Sequence, residues 1–248
     1  MINGCKIVAV LPAYNAEKTL VRTVQDITFG VVDQVLLVDD KSSDKTVQIA
    51  KRLGLEVFLH DENLGYGGNQ KTCYREALKR NADVIVMLHP DYQYDPRLIL
   101  AMVAPICYGV YDCMLGSRII GGKAIEGGMP RIKYWGNRVL TFFQNLVFRK
   151  KLSEYHTGYR AFHRKALEMV PFESNSNDFV FDNQILAQLI LFGFEIGEIS
   201  CPTRYFPEAS SIGWGKGLQY IGGCMITAIQ FLLEKNRITQ FPIFKRRL

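Results

Sequence analysis

The most constraining feature of this sequence is a short apolar run that stops abruptly in polar residues. Positions Val84 to Leu88 are all apolar, and His89, Asp91 and Gln93 follow within five residues. An unbroken apolar run of this length is typical of a parallel strand that is covered on both faces. In open α/β sheets, ligands bind where such strands end. We therefore predict a buried strand whose carboxyl end opens into a functional crevice.

Earlier stretches of the chain repeat this pattern. Apolar runs at residues 6–11, 35–38 and 56–59 each end in polar residues, and stretches of helical character separate them. Strands that alternate with helices predict right-handed βαβ units and a parallel sheet. The fold class predicted is therefore α/β, with a mostly parallel sheet flanked by helices, and the polar strand ends should meet along one edge.

Length and composition narrow the classes of protein. The 248 residues are 48% hydrophobic and 22% charged, which is ordinary globular composition and predicts one α/β domain with an elaborated second half. A net charge of +6 favours anionic partners. Nucleic acid is not expected among them, because the basic residues are dispersed and the acidic strand ends would repel a phosphate backbone.

The six scattered cysteines and the amino-terminal residues indicate the cellular compartment of the protein. No pair of cysteines has metal-finger spacing, so we expect reduced thiols in a cytoplasmic protein. The amino-terminal residues lead directly into a strand-like run, and we expect no signal peptide. The most apolar stretch, residues 218–233, contains several polar and glycine positions and is too short to span a bilayer.

Two adjacent carboxylates, Asp39 and Asp40, follow the second apolar run. Holding them together is costly unless a cation or hydrogen-bond donors meet them. We expect one to accept a hydrogen bond from a nucleobase N–H and the other to order the turn through Ser42. Gly65, which begins Gly65-Tyr66-Gly67-Gly68, is expected to form a tight turn into a helix rather than a phosphate loop on its own.

The polar residues after the central run suggest a metal site. Oxygen atoms of Asp91 and Gln93 suit a hard divalent cation, Mn²⁺ or Mg²⁺, that carries a diphosphate. His89 is either hydrogen-bonded at the strand end or a third ligand, and as a ligand it would favour Mn²⁺.

Three arginines and one further acid are candidates for chemistry. Arg118, Arg160 and Arg204 lie at predicted strand or loop ends, where guanidinium groups clamp phosphate oxygens well, although each could be an ordinary ion pair. Asp182 could act as a base or orient a sugar hydroxyl. The commoner role for a carboxylate at a helix start is to accept from backbone N–H groups.

The second half of the chain has a different character. Residues Ile119 to Pro130 carry four glycines and predict a mobile loop or lid. Residues Arg131 to Lys151 predict a helix with aromatic and basic faces, which either packs on the core or rests on an anionic membrane surface. The half-apolar helix from Gly217 to Leu233 would contact the same membrane or form a homodimer interface.

Several of these segments resemble the family 2 glycosyltransferases of the GT-A, Rossmann-like fold, and most closely their dolichol-phosphate mannosyltransferase-like branch. The likeness rests on the stretches at residues 11–17, 38–46 and 63–67 and covers most of residues 5–211. It implies a glycosyltransferase domain at residues 1–206. Residues 1–118 would bind the nucleotide sugar, residues 119–206 the acceptor, and residues 207–248 would be a helical extension.

The resemblance also implies roles for individual residues. Pro12, Tyr14, Glu17 and Asp40 would cradle the base and ribose of the nucleotide. The family's Asp-x-Asp-x-Gln metal motif falls on His89-Pro90-Asp91-Tyr92-Gln93, with histidine in place of the first acid. Three further family motifs are matched in part, and they fall on Gly116-Ser117-Arg118, on Glu154 to Arg160, and on Arg204 with Ser210-Ser211.

The activity that the resemblance implies is inverting transfer of a hexosyl group from a nucleoside diphosphate sugar to a polyprenyl phosphate, in glycan or cell-envelope synthesis. A sugar hydroxyl acceptor would instead need a base, with Asp182 or Glu154 as candidates. A nucleotidyltransferase is disfavoured, because no glycine-rich basic loop follows the first strand. A non-catalytic sugar-nucleotide-binding module is the other alternative, and it is motivated by His89.

Overall fold

The computed structural model describes residues 2–28, 30–203, 205 and 214–246. The strands are β1 (Ile7–Ala13), β2 (Gln34–Asp39), β3 (Glu56–Leu59), β4 (Val84–Met87), β5 (Cys113–Ser117), β6 (Arg160–His163) and β7 (Ile196–Ser200). The helices are α1 (Leu20–Gln25), α2 (Thr46–Arg52), α3 (Gly65–Lys79), α4 (Ile99–Cys107), α5 (Arg131–Phe148), α6 (Arg164–Met169), α7 (Phe181–Leu191) and α8 (Trp214–Lys235).

The strands form one seven-stranded sheet in the order β3-β2-β1-β4-β6-β5-β7. All pairings are parallel except those of β6, which runs antiparallel to both β4 and β5. The strand-helix alternation predicted a parallel sheet and did not reveal this reversal. The reason is local: the segment before β6 lies at the carboxyl edge, so Arg160 pairs with Met87 at the end of β4 and the strand runs back from there.

Helices cover both faces of the sheet and give two hydrophobic cores. Val8 and Val10 of β1 point into one core with residues of α3, α5, α7 and α8. Ile7 and Leu11 point into the other with residues of α1, α2 and α4. All seven residues of β1 are buried, as an unbroken apolar run on a strand covered on both faces requires.

Several predicted boundaries shift by a few residues. The helix predicted to end at Lys151 ends at Phe148, because Arg149 adopts a left-handed conformation with φ of 54°. Residues Ile119 to Pro130 contain neither helix nor strand, as predicted. Their Ala124 and Met129 are buried, and the Gly127 carbonyl accepts the Tyr205 amide at 3.1 Å, so this loop packs against the segment after β7.

The described part of the C-terminal extension is dominated by α8, which packs against α5 and α7. Its inward face buries Cys224, Thr227, Ala228 and Phe231. Among the described residues, none of the helices combines the length and apolarity needed to cross a membrane.

Candidate active site

The topology brings the predicted site residues to one edge of the sheet. The carboxyl ends of β1, β2, β4 and β5 point the same way, and antiparallel β6 begins at that edge. Residues that follow the four strands therefore lie beside the segment that precedes β6. The acidic residues at the ends of β2 and β4 therefore lie at the same edge as Arg118 and the stretch from Glu154 to Arg160.

The loops after β1 and β2 are fastened together by reciprocal hydrogen bonds. The Asn15 amide donates to Ser42 Oγ at 2.8 Å, and the Ala16 amide donates to Thr46 Oγ1 at 2.7 Å. Glu17 Oε2 accepts from the Lys45 amide at 3.0 Å, next to the start of α2. The carboxylate of Glu17 therefore joins the two loops, while Tyr14 remains 58% exposed at the rim of the crevice.

The adjacent carboxylates at the end of β2, Asp39 and Asp40, have different environments. Asp40 Oδ1 accepts from the Leu64 amide and lies 2.8 Å from His60 Nδ1, and Asp40 Oδ2 accepts from the Gly65 amide at 3.0 Å. Asp39 Oδ1 accepts from the Ser42 amide at 2.9 Å, whereas its Oδ2 is buried without a hydrogen-bond partner among the described residues. Asp39 is therefore the one with an acceptor oxygen to offer to a ligand.

The start of α3 is already occupied by protein groups. Gly65 has a φ of +82°, and its amide donates to Asp40. The Gly67 amide donates to the Asn177 carbonyl at 2.8 Å, and a Cβ at Gly67 would lie 2.4 Å from the Ser176 carbonyl oxygen. These glycines permit a close approach of two backbone segments, which supports the interpretation of a tight turn over that of a phosphate loop.

Asp91 sits in a tight turn after β4. Its Oδ1 accepts from the Gln93 amide at 3.0 Å, and Tyr92 between them has a positive φ of 57°. Such a conformation is unfavourable for a bulky residue. Contacts on both sides hold it: the Tyr92 hydroxyl donates to Asp26, and the Arg22 guanidinium lies 4.1 Å from the ring centroid. The Gln93 side chain is buried.

His89 stacks on Tyr66, with ring centroids 5.3 Å apart. Burial lowers the pKa of His89, an effect that Asp91 and Asp182 oppose. The Tyr66 hydroxyl donates to Asp182 Oδ2 at 2.7 Å and lies 3.2 Å from His89 Nε2. Since the tyrosine proton is used by Asp182, we assign the shared hydrogen of the second contact to Nε2, which leaves the lone pair of a neutral imidazole on Nδ1.

The residues present limit what kind of metal site can form. Within the described ranges, no cluster of three or more His, Cys, Asp and Glu side chains could hold a metal ion. Magnesium is commonly held by one or two carboxylates together with substrate phosphates and water. The turn at Asp91 fits a cation shared with a bound diphosphate and does not fit a cage made by the protein alone.

Asp182 and Arg160 form a buried network behind His89. Asp182 takes hydrogen bonds from Tyr66 and from Gln70 Nε2 at 3.1 Å. Arg160 is fully buried, and its guanidinium donates to the carbonyl groups of Thr157, Asp182 and Tyr155, at 2.7, 2.6 and 3.0 Å. The prediction that Arg160 clamps phosphate requires correction, because its guanidinium is completely buried and each of its three nitrogens faces a carbonyl group inside the protein.

Arg118 lies closer to the crevice. Its Nε donates to Glu154 at 2.9 Å, one terminal nitrogen to the Tyr205 hydroxyl at 3.2 Å and the other to the His156 carbonyl at 2.8 Å. A guanidinium has five N–H groups. Arg118 thus has two left for another acceptor beyond its contacts with the described residues.

Other residues at the site were not anticipated from the sequence, or lie beyond the structure. Arg204, Ser210 and Ser211 lie outside the described residues. His60, Tyr66 and Tyr205 contact the predicted residues but were missed, because their partners come from distant parts of the chain. The glycine-rich run around Tyr66 was the available signal for that residue, since its glycines allow α3 to approach the segment at 176–177.

A three-layer α/β chain with this strand order and an acidic carboxyl edge has the architecture of the GT-A glycosyltransferases. The chain belongs to glycosyl transferase family 2, whose family model matches residues 8–170. It is therefore a glycosyltransferase, and the predicted family, fold class and enzyme class are confirmed.

Similar proteins are found in archaea and bacteria. An uncharacterized protein of Methanocaldococcus jannaschii is 29% identical, over 86% of this chain and 87% of its own length. The UDP-N-acetylglucosamine–dolichyl-phosphate N-acetylglucosaminyltransferase of Methanococcus voltae is 28% identical, over 79% of this chain and 84% of its own. The undecaprenyl-phosphate mannosyltransferase of Micrococcus luteus is 25% identical, over 71% and 75%.

Solved structures share the fold. Glucosyl-3-phosphoglycerate synthase from Mycobacterium tuberculosis, in complex with Mn²⁺, uridine diphosphate and phosphoglyceric acid, aligns with a TM-score of 0.64. The alignment covers 96% of this chain and 80% of that one, at 18% sequence identity. At this identity the likeness bears on the fold alone.

Proposed function

We propose that this glycosyltransferase moves a hexosyl group, with inversion, from a nucleoside diphosphate sugar to a polyprenyl phosphate. The observation that carries the proposal is the position of Arg118, a crevice arginine with two N–H groups that bond none of the described residues and could bind an anion. Arg118 lies near α5, whose outer face is apolar. A polyprenyl phosphate has a charged phosphate that suits the arginine and a long hydrocarbon chain that suits the apolar face.

The donor would bind along the loops after β1, β2 and β4. The buried Oδ2 of Asp39 offers an acceptor for a nucleobase N–H group. Pro12 and the exposed ring of Tyr14 flank the same end of β1. Asp40, Glu17 and Gly65 support this region through their contacts within the protein, and Asp91 faces the diphosphate end.

Asp91 is the residue that we expect to hold a divalent cation together with the diphosphate, and Gln93 and His89 are its neighbours. When bound, Mg²⁺ or Mn²⁺ would offset the negative charge that collects on the departing diphosphate. His89 could reach the ion only through Nδ1, since its Nε2 is used by Tyr66.

Hydrogen bonding at the two candidate bases favours an acceptor that is already ionised. The Asp182 carboxylate accepts from Tyr66 and Gln70 and is almost fully buried. Glu154 is completely buried and paired with Arg118. Neither carboxylate is placed to take a proton from a sugar hydroxyl in the crevice. A phosphate oxygen needs no such base, which supports a lipid phosphate over a glycan acceptor.

A second cation lies close to Arg118. Lys133, in the first turn of α5, is exposed at the surface, and its pKa is lowered by partial desolvation and by the charge of Arg118. Two cations held near each other favour an anion between them. The Tyr205 hydroxyl, bonded to Arg118, also lies within electrostatic range of Asp91. An acceptor phosphate bound by Arg118 and Lys133 would therefore lie near the diphosphate end of the donor.

The transfer itself requires one bond to form as another breaks. The acceptor phosphate oxygen attacks the anomeric carbon on the face opposite the diphosphate. The bond between that carbon and the β-phosphate oxygen breaks, and its electron pair leaves with the nucleoside diphosphate. Two relatives that are named for dolichyl-phosphate and undecaprenyl-phosphate transfer support this class of acceptor.

The apolar outer faces of α5 and α8 suggest how such a lipid is reached. On α5, exposed side chains recur at spacings of three and four, each 60–69% accessible: Ile132, Trp135, Val139, Phe142 and Leu146. On α8 a second stripe is 36–72% accessible: Leu218, Ile221, Met225, Ile229 and Leu232. The two helices contact each other, and we propose that the stripes form one apolar face.

We propose that this face, the α5–α8 face, rests on an anionic membrane surface. Basic residues surround it: Arg131, Lys133, Arg149, Lys151, Lys216 and Lys235 are exposed at or near the ends of the two helices. A basic border around an apolar helix face complements anionic headgroups and the hydrocarbon beneath them. A homodimer through the same face would bring these positive charges together.

The transferase proposal is tested by binding and turnover. We expect one of UDP, GDP, CDP and dTDP to raise the melting temperature when Mg²⁺ or Mn²⁺ is present. The corresponding sugar nucleotides should then glycosylate farnesyl phosphate, used as a short polyprenyl phosphate. Transfer to a sugar hydroxyl and none to farnesyl phosphate would refute the acceptor assignment.

Flotation with phosphatidylglycerol vesicles tests the membrane proposal. We expect the wild-type chain to float and a Trp135→Ser/Phe142→Ser variant to remain below. Tyr108→Ser/Val110→Ser is the matched control, because these side chains are 67% and 60% exposed but precede β5 at the opposite edge of the sheet. Failure to float, together with a dimer that dissociates in the Trp135→Ser/Phe142→Ser variant, would assign the face to a second copy.

A further inference from the structure

We infer that Tyr220 of α8 is a positioning residue for the acceptor-binding Arg118, and that it acts through His156. The C-terminal helix would then be part of the active site, although the family match ends at residue 170. This inference rests on the proposed role of Arg118 in binding the acceptor phosphate.

The connection consists of two consecutive hydrogen bonds. The Tyr220 hydroxyl lies 2.7 Å from His156 Nδ1, and the two rings meet edge to face with centroids 5.5 Å apart. The carbonyl of the same histidine accepts from Arg118 at 2.8 Å. A change in the position of His156 therefore moves one of the three groups that orient the guanidinium.

The His156 side chain has little else to hold it. Its Nε2 is buried and lacks a hydrogen-bond partner within the described ranges, so Tyr220 is its polar anchor there. Burial, together with the charges of Arg118 and Arg160, lowers the pKa of His156 to about 3. The ring is thus neutral near pH 7. Burial keeps the pKa of Tyr220 well above its usual value, so its hydroxyl retains a proton to share with Nδ1.

The backbone around His156 serves both site arginines. Carbonyl groups of Tyr155 and Thr157 accept from Arg160, and the carbonyl between them accepts from Arg118. Residues 155–157 must therefore keep a fixed position to accept hydrogen bonds from both arginines. Tyr220 of α8 contacts the side chain of His156, the central residue of the three. Tyr220 is one helical turn before Cys224, where the apolar contacts of α8 with the core begin. The hydroxyl also interacts with the Cys224 side chain of its own helix, so its contact with His156 joins α8 to the segment before β6.

Sequence patterns could not have located this residue, because the link joins positions 64 residues apart through a single hydroxyl. The same helix turns its opposite face outward as part of the α5–α8 face. A lipid acceptor that enters along this face would meet Arg118 in a geometry that α8 itself maintains.

The test is binding of farnesyl phosphate to the full chain, measured by titration calorimetry for wild type and Tyr220→Phe. Removing one hydrogen bond from the link should weaken binding about three- to tenfold. Affinity for the nucleoside diphosphate selected by thermal shift should stay unchanged. A defect confined to the phosphate ligand is what distinguishes positioning from general loss of packing.

Thr227→Val is the matched control. Thr227 is buried on the inward face of α8, and within the described part of the chain its hydroxyl bonds the Gly223 carbonyl of its own helix, at 2.9 Å. This variant should bind farnesyl phosphate as wild type does. In a His156→Ala background, Tyr220→Phe should produce no further loss, since the two residues act in series.

The outcomes separate the inference from the proposed function. If wild type itself does not bind farnesyl phosphate, the acceptor proposal fails and the inference with it. If wild type binds and Tyr220→Phe binds equally well, the inference is overturned while the acceptor proposal stands. A Tyr220→Phe variant that loses nucleotide and phosphate binding to the same degree would also overturn it.

Discussion

The two halves of the molecule differ in how well their polar groups are satisfied. Eight buried side-chain polar atoms of the described residues lack a hydrogen-bond partner. One of them, Asp39 Oδ2, belongs to residues 2–118, and the other seven belong to Gln144, His156, Tyr159, Asn183 and Thr203. The proposed nucleotide half, residues 2–118, is thus nearly complete by itself, whereas the rest of the described chain, which holds the proposed acceptor half and α8, has unmet polar groups inside and apolar stripes outside.

This difference teaches what each half needs from its ligand. In the proposed nucleotide half, short loops satisfy one another, and among the described residues one buried side-chain oxygen, Asp39 Oδ2, has no partner. Beyond it, the apolar side chains of α5 and α8 would suit the hydrocarbon body of an acceptor, and the remaining N–H groups of Arg118, the last residue of the nucleotide half, would suit its charged head. A preformed donor site and a lipid-completed acceptor site would produce this contrast.

The largest effect is expected at Asp91. Asp91→Asn should reduce turnover about a hundredfold or more, because one preorganised charge contact at a leaving group is commonly worth that much. Initial rates at saturating donor with Mg²⁺ measure it. Asp61→Asn, which changes an exposed carboxylate after β3 at the same edge, is the control and should keep wild-type turnover. Near-normal rates for Asp91→Asn would remove this residue from the chemistry.

The adjacent carboxylates at the end of β2 offer a sharper comparison within the proposed nucleotide half. Asp40→Asn should lower the free energy of unfolding by about 2–3 kcal/mol, since an amide nitrogen would face N–H donors in a buried site. Asp39→Asn should cost less than about 1 kcal/mol but weaken nucleotide binding, because its Oδ2 bonds no described group. Urea denaturation and nucleotide titration measure the pair. Equal effects of the two variants on stability would contradict the division of roles.

Sequence reasoning reached the fold more completely than the site. Strand ends could be predicted because apolar runs stop at polar residues, and a parallel sheet places such ends on one edge. The division of labour between Asp39 and Asp40 depends on amides at residues 64 and 65, which no local pattern shows. The burial of Arg160 depends on carbonyl groups from two segments and on the reversal of β6. Tyr220 and His60 were missed because the contacts that place them at the site join separate parts of the chain: Tyr220 contacts His156, and His60 lies between Asp40 and Thr72.

The free energy of unfolding at acid pH should depend on His156, whose buried Nε2 has no described hydrogen-bond partner. The pKa of His156 is about 3 in the folded protein, against about 6.5 for an ordinary histidine. Below pH 6.5 the unfolded chain therefore binds a proton that the folded protein excludes, and stability falls by up to about 1.4 kcal/mol per pH unit toward pH 3. His156→Asn removes this group and should flatten the decline by about 2 kcal/mol between pH 6.5 and 5.

Chemical denaturation of wild type and His156→Asn at several pH values checks this expectation. Both proteins contain the same other titratable groups, so the difference between their curves isolates the histidine. Parallel curves would mean that the folded protein protonates His156 as readily as the unfolded chain does. The imidazole would then not lie in the dry, positively charged setting formed by Arg118 and Arg160.

The smallest effect concerns neighbouring amides on α5. Both polar atoms of Gln144 are fully buried without a described partner, so Gln144→Met should raise the free energy of unfolding by about 1 kcal/mol. Asn145 is the matched control, since its amide bonds the backbone of Leu152 in both directions, at 2.8 and 3.0 Å. Asn145→Leu should cost about 1–3 kcal/mol. A loss of stability in Gln144→Met would show that the Gln144 amide has a hydrogen-bond partner in solution. The two halves would then differ less in how many of their buried polar atoms lack a partner.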